Sequence, residues 1–250
     1  MDFLFPSYRK QRYNFLKPND AWGYVFFTSL IGIPVVIFLK RYQKKFPFYI
    51  LTPNAITFFS FSVFLVAVVL LFMSPSQHRI ICWFIFMAMI LDDIDGTYAR
   101  ATAKASRFGA ILDSFLDVIR IGIGLPLIGL ALGREYSNYI LPVVLFIYSI
   151  YHVAYHMNLV TKFIEDNVSC ENEDTENMAL KTPWHRFCDE RGLNYYIYSE
   201  YDAYLMMVLA LIIFPDPSWP VIFIVFSRFL YWPLVSVFAP KGLYKRLSEK

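Results

Sequence analysis

Apolar residues along this chain come in long blocks rather than in the strict alternation of a half-buried strand. Between Asn54 and Met73 no charged side chain occurs. About 20 apolar residues in a row is what a helix needs to cross a hydrocarbon layer of about 30 Å. Comparable blocks cover 80–100, 108–131, 139–160, 202–215 and 219–238. The block at 202–215 is short and stops at Phe214-Pro215-Asp216-Pro217, a sequence that favours a tight turn. Only helices and closed barrels satisfy their backbone groups in lipid, and these blocks lack the period of a barrel strand. The pattern therefore predicts an all-α integral membrane protein with six transmembrane helices, in a single membrane-embedded domain over residues 1–250.

A further apolar stretch, 22–39, has the length of a seventh span, and its apolar residues are spread almost evenly round a helix. Charge argues for a different placement. Arg9, Lys10, Arg12 and Lys17 precede it, and Lys40, Arg41, Lys44 and Lys45 follow it. Lys and Arg favour the cytoplasmic side of a membrane, and a span here would carry one cluster across. An interfacial helix keeps both inside, within an N-terminal basic segment covering 1–50. With six spans, only Arg79 and Arg134 fall in external loops and Arg120 and Arg228 within spans, leaving 19 of the 23 basic residues at cytoplasmic segments or span ends. The first residues lack the apolar core of a cleaved leader.

Composition agrees with the pattern. The chain is 57% hydrophobic and 17% charged, against about 25% charged in soluble domains. A net charge of +3 over 250 residues gives no case for nucleic acid. Cys82, Cys170 and Cys188 form neither an even set nor a metal-binding spacing, so they read as free thiols. The one long polar segment, 161–200, reads as a cytoplasmic loop, and its Asn167-Val168-Ser169 sequon then never meets the glycosylation machinery.

The second span ends in Asp92-Asp93-Ile94-Asp95-Gly96, and the third carries Asp113 and Asp117. An acid at the bilayer centre costs about 2.5–3.5 kcal/mol, so several together imply a compensating partner and a function. At about 100° per residue, Asp92 and Asp95 share one helical face, and Asp113 and Asp117 share another. The short connection 101–108 allows only an antiparallel return, so the two pairs can face each other. Four converging carboxylates repel unless cations are present. Oxygen-only donors suit Mg²⁺, Mn²⁺ or Ca²⁺, and two such ions would form a phosphoryl-transfer site. Gly96 and Ala99 keep the end of the second span open, and Arg100 projects from it, where a guanidinium can grip a phosphate.

The run Asp92-x2-Asp95-Gly96-x2-Ala99-Arg100-x8-Gly109-x3-Asp113-x3-Asp117 resembles the signature of the CDP-alcohol phosphotransferase family at each of its eight fixed positions. The Thr52-Pro53-Asn54-x2-Thr57 segment resembles that family too, as does the layout of six spans with an N-terminal interfacial helix. The likeness extends over most of 20–240, excluding the 161–200 loop. It implies an enzyme that cleaves a CDP-linked alcohol, releases CMP and passes the phosphoryl-alcohol unit to an acceptor hydroxyl at the cytoplasmic face. It further implies two divalent ions, Mg²⁺ or Mn²⁺, on Asp92, Asp95, Asp113 and Asp117, with Asp117 also the general base. Asn54, Gly96, Arg100 and Ser106 would contact the CDP part, and the protein would be a homodimer. CDP-diacylglycerol with a small polar acceptor fits the compact size; a CDP-linked head group delivered to a lipid hydroxyl is the second option.

Other charged and polar positions carry two readings each. Arg120 lies on the stripe of Asp113 and Asp117, where it could neutralise a carboxylate or bind a phosphate on the acceptor. Arg228 could pair with an acid or carbonyl of a neighbouring helix, or make that same phosphate contact. Asp93, about 100° from Asp92, is expected to be a solvated or capping charge. His152 and His156 share a face but have no third ligand, which favours packing or a lining of the site cavity. A cation- or proton-coupled transporter would also use intramembrane acids, but these sit near span ends rather than at the midplane.

Overall fold

The structure, a computed structural model, describes residues 22–43, 52–166 and 198–238. The basic residues before 22, Lys44, Lys45, Cys170, Cys188 and most of the polar segment 161–200 lie outside them, as does the side chain of His156. The described residues are helical, with no strand among them. They form α1 (22–43), α2 (Pro53–Met73), α3 (His78–Ala101), α4 (107–135), α5 (Ile140–Asp166), α6 (Glu200–Ile213) and α7 (Ser218–Phe238). Gly23–Arg41, Pro53–Met73 and Phe108–Glu135 are long and apolar enough to cross a membrane. The apolar parts of α5, α6 and α7 are shorter. The helix α3 has the length, but any stretch of it long enough to cross includes Asp92, Asp93 and Asp95. Large apolar side chains such as Phe59, Val66, Phe115 and Phe226 cover the outer surface, as expected of an integral membrane protein.

Local signals set the helix starts. Thr52 caps α2, its hydroxyl accepting from Ala55 N at 3.2 Å, and Pro53 opens the first turn. Ser106 caps α4 in the same way, accepting from Gly109 N at 3.0 Å. A reciprocal capping box between Ser199 and Asp202 starts α6. At the end of α3 the chain turns through Ala103, which takes a φ of 54°, while Lys104 N donates to Ala99 O at 2.9 Å. That left-handed residue closes the helix as a glycine would.

Along its length α2 packs on α3, and α4 on α5. The buried layer between the helices is built from Phe64, Leu71, Ile85, Ile128, Leu132, Leu141, Leu145 and Tyr148. At one end of the bundle, Tyr136 donates to Pro215 O at 2.6 Å and sits 3.1 Å from His78 Nδ1, while His78 Nε2 lies 3.3 Å from Phe214 O. This ties α3, the end of α4 and the link after α6. The acids of α3 lie towards the other end.

A feature that periodicity did not foretell interrupts α4: residues Arg120–Gly124 form a π-helical turn. Such a turn carries an extra residue and leaves carbonyls short of their usual partners. Ser149 of α5 donates to Gly122 O at 3.1 Å. A Cβ on Gly124 would come within 2.4 Å of the Phe64 ring, so a larger residue would have to move that ring for α4 to lie this close to α2. The residues Gly129 and Gly133, four apart, do the same against α5, since their added Cβ atoms would meet Pro142 Cα at 3.0 Å and Pro142 Cδ at 2.7 Å. Small residues at this spacing let helix backbones approach in a membrane.

Gly133→Ala places its methyl 2.9 Å from Asn138 O as well as on the rigid Pro142 ring. We expect it to destabilise the protein by about 1–3 kcal/mol, read as a lower unfolding midpoint in detergent. An unchanged midpoint would show that the α4–α5 contact is looser than described.

Candidate active site

The functional side chains come mainly from α3 and α4, with α2 behind them. Helical spacing turns Asp92 and Asp95 to one face of α3, and the return through 102–106 sets Asp113 and Asp117 of α4 opposite. Asp92, Asp95 and Asp113 each offer an oxygen, and the three oxygens lie within 4.8 Å of one another. Asp95 is 4% exposed, and its Oδ2 is buried with no hydrogen-bond partner among the described residues. The Thr57 side chain of α2 stands beside it. A buried acceptor without a donor is costly, and three converging carboxylate oxygens suit a hard divalent cation. The residues present thus fit Mg²⁺ or Mn²⁺.

Asp117 is held differently. The guanidinium of Arg120 donates through one nitrogen to both Asp92 Oδ1, at 2.6 Å, and Asp117 Oδ1, at 3.0 Å. Its second terminal nitrogen donates to the Ser60 hydroxyl at 2.8 Å, and Ser60 donates in turn to Ala88 O at 2.9 Å. Arg120 therefore sits in the first of its two expected positions, as a counter-charge within the acid cluster. Its place at the start of the π turn directs it there. Ser60 carried no signal in the sequence; a serine in an apolar span is ordinary, and only the fold shows what it holds.

The remaining predicted residues fall into separate groups. An added Cβ on Gly109 would meet Asn54 Oδ1 and Ser106 Oγ, each at 3.1 Å, so those two polar groups converge where α2 and α4 begin. The Arg100 side chain folds back along α3, its guanidinium 3.2 Å from where a Gly96 Cβ would lie. Arg228 of α7 is buried, with Tyr198 and Tyr231 ring centroids 6.0 and 5.9 Å from its guanidinium carbon. His152 is buried beside the Tyr148 ring.

Asp93 corrects an expectation. It is neither solvated nor a cap: it is 4% exposed and accepts a 2.6 Å hydrogen bond from the Tyr201 hydroxyl. The face of α3 that points away from the acid cluster is covered by α6, so a charge there needs a donor.

Fold and site together define an integral membrane protein with a cluster of oxygen donors towards one end of a helical bundle. Residues 50–183, more than half of the chain, match the model of the CDP-alcohol phosphatidyltransferase family, and the chain belongs to that family. Among curated relatives, it is 38% identical over 78 residues to a CDP-diacylglycerol–serine O-phosphatidyltransferase of Helicobacter pylori, covering 31% of this chain and 32% of that protein. It is 36% identical over 96 residues to an archaetidylinositol phosphate synthase of Pyrococcus horikoshii, covering 38% of this chain and 48% of that protein. The chain thus spans about a third to a half of these relatives' lengths.

Removing the guanidinium leaves Asp92 and Asp117 without their cation. Arg120→Met should destabilise the metal-free protein by about 3–5 kcal/mol, the cost of an uncompensated buried charge. Added Mg²⁺ should then restore more stability to the variant than it adds to the parent. Equal unfolding midpoints for the two in EDTA would contradict this account of Arg120.

Proposed function

We propose that this protein is a divalent-metal-dependent transferase that cleaves a CDP-alcohol, releases CMP and transfers the substituted phosphate to an acceptor hydroxyl. The convergence of Asp92, Asp95 and Asp113 oxygens, with Asp117 beside them, carries the reading. These four would hold Mg²⁺ or Mn²⁺, two ions in all, and the metal when bound would neutralise charge on the diphosphate and on the departing CMP oxygen. On this chain, Asn54, Gly96, Arg100 and Ser106 bind the CDP part. Asp117 takes the proton of the acceptor hydroxyl as its oxygen bonds to phosphorus and the bond to the CMP oxygen breaks. Arg228, and Arg120 where a bound metal relieves it of Asp92 and Asp117, would contact a phosphate on the acceptor.

The donor is CDP-diacylglycerol and the acceptor a small polar alcohol. The name of the Helicobacter relative supports the first, and both relatives' names point to polar head groups on a lipid. Basic residues at the span ends support a site at the cytoplasmic face of a six-span bundle. The α1 helix lies in that interface. A crossing helix carries its ends to opposite faces, whereas here Tyr24 near one end and Lys40 near the other both reach α3 between Thr97 and Ala101.

Purified protein with Mg²⁺, CDP-diacylglycerol and a panel of alcohols should release CMP with at least one of them. No CMP from any CDP-alcohol donor would overturn the proposal. Asp117→Asn should fold normally and lower kcat by about 10²–10⁴, the usual contribution of a positioned base. Near-parental turnover would remove Asp117 from that role.

A further inference from the structure

We propose that Tyr24, in the first turn of α1, is a positioning residue that aims the Arg100 guanidinium at the nucleotide diphosphate. The inference rests on the reading of Arg100 as a CDP contact. Nothing in the apolar pattern of 22–39 suggests that this helix takes part in chemistry. Yet its first turn is fixed from several directions. Gly23 N donates to Asp202 Oδ1 at 2.6 Å, and Asp202 is itself held by the Ser199 capping box. The Tyr24 ring stands edge-on to the Tyr201 ring, with centroids 5.9 Å apart. Tyr201 is in turn bonded to the buried Asp93. Ring and backbone contacts thus set where the Tyr24 hydroxyl lies.

That hydroxyl accepts a 2.7 Å hydrogen bond from Arg100 Nη2 and lies 3.4 Å from Thr97 Oγ1. Thr97 is 3.4 Å from the same guanidinium nitrogen and donates to Asp93 O at 2.8 Å. On the other side the guanidinium lies over Gly96, where a Cβ would come within 3.2 Å of Nη1. Arg100 is the last basic residue of α3, and a long side chain at a helix end would otherwise sample many rotamers. Binding a diphosphate would then have to restrict those rotamers, which weakens affinity. Holding the guanidinium beforehand removes that loss. The glycine at 23 is part of the device, since a Cβ there would meet Asp202 Oδ1 at 2.8 Å and Leu205 Cδ2 at 2.9 Å.

Tyr24→Phe keeps the ring against Tyr201 and removes only the hydroxyl. In the full-length protein with Mg²⁺, it should raise the KM for CDP-diacylglycerol and the calorimetric Kd for CDP by about tenfold. It should leave kcat within about twofold and lower the unfolding midpoint by no more than the loss of one hydrogen bond would. Gly23→Ala, which displaces the turn with the hydroxyl intact, should shift KM and Kd in the same direction. In an Arg100→Ala background, Tyr24→Phe should add nothing, as expected if it acts only through Arg100. Unchanged KM and Kd in Tyr24→Phe, additive effects in the double variant, or a fall in kcat together with stability would each overturn the proposal. If Arg100→Ala itself leaves the CDP affinity unchanged, the reading of Arg100 fails and the role of Tyr24 falls with it. A weakened Arg100→Ala beside an unaffected Tyr24→Phe rejects the role of Tyr24 alone.

Discussion

Carboxylates gathered inside an apolar bundle repel one another and lose the hydration that would screen them, and the structure is organised around relieving that strain. Arg120 is the internal part of the answer. One of its nitrogens bridges Asp92 of α3 and Asp117 of α4, and the other is tied through Ser60 to the backbone of α3. The bridge joins helices α2, α3 and α4 at the level of the site. It also leaves Asp95 with an oxygen that no described group satisfies. A site neutralised only in part by its own arginine, with the Asp95 oxygen left over, still has a use for an added cation.

The π turn at Arg120–Gly124 and the glycines that follow belong to the same solution. The turn starts at the residue whose guanidinium enters the acid cluster, and Gly124 lets the helix close on Phe64 immediately afterwards. A bulkier residue there would have to displace the buried Phe64 ring or hold α4 off α2, lengthening the reach from Arg120 to Ser60. Packing and electrostatics therefore constrain each other within one turn of helix.

Much of this was legible from sequence because it depends on spacing within a single helix. The pairing of Asp92 with Asp95 and the helix limits follow from helical periodicity and apolar run length, and the helices at Pro53–Met73 and His78–Ala101 fall within a few residues of expectation. The resemblance supplied the family, which the match over 50–183 shows. What escaped depends on contacts between residues far apart in the chain. Ser60 meets Arg120 across 60 positions, and Tyr201 meets Asp93 across 108. No local pattern marks such partners: Asp93 has the spacing of a solvated or capping charge, and nothing near it in the chain signals that α6 covers it.

The two faces of α3 explain why adjacent acids have different fates. Asp92 and Asp95 turn towards α4 and the oxygen of Asp113, while Asp93, one residue on, turns towards α6. Thr97 continues the second face, one turn after Asp93, and its hydroxyl bonds back to the Asp93 carbonyl. Arg100 comes a further turn along, and its guanidinium reaches the Tyr24 hydroxyl of α1. One face of α3 thus gathers the oxygens suited to a metal, and the other carries hydrogen bonds from α6 and α1 up to the arginine proposed to hold the nucleotide. On that reading, a shift of α1 at Gly23 and Tyr24 would move the guanidinium it bonds, while the acids on the other face make their contacts with α4. On the proposed reading, nucleotide and metal affinity would then vary separately, although Asp95 and Arg100 are only five residues apart.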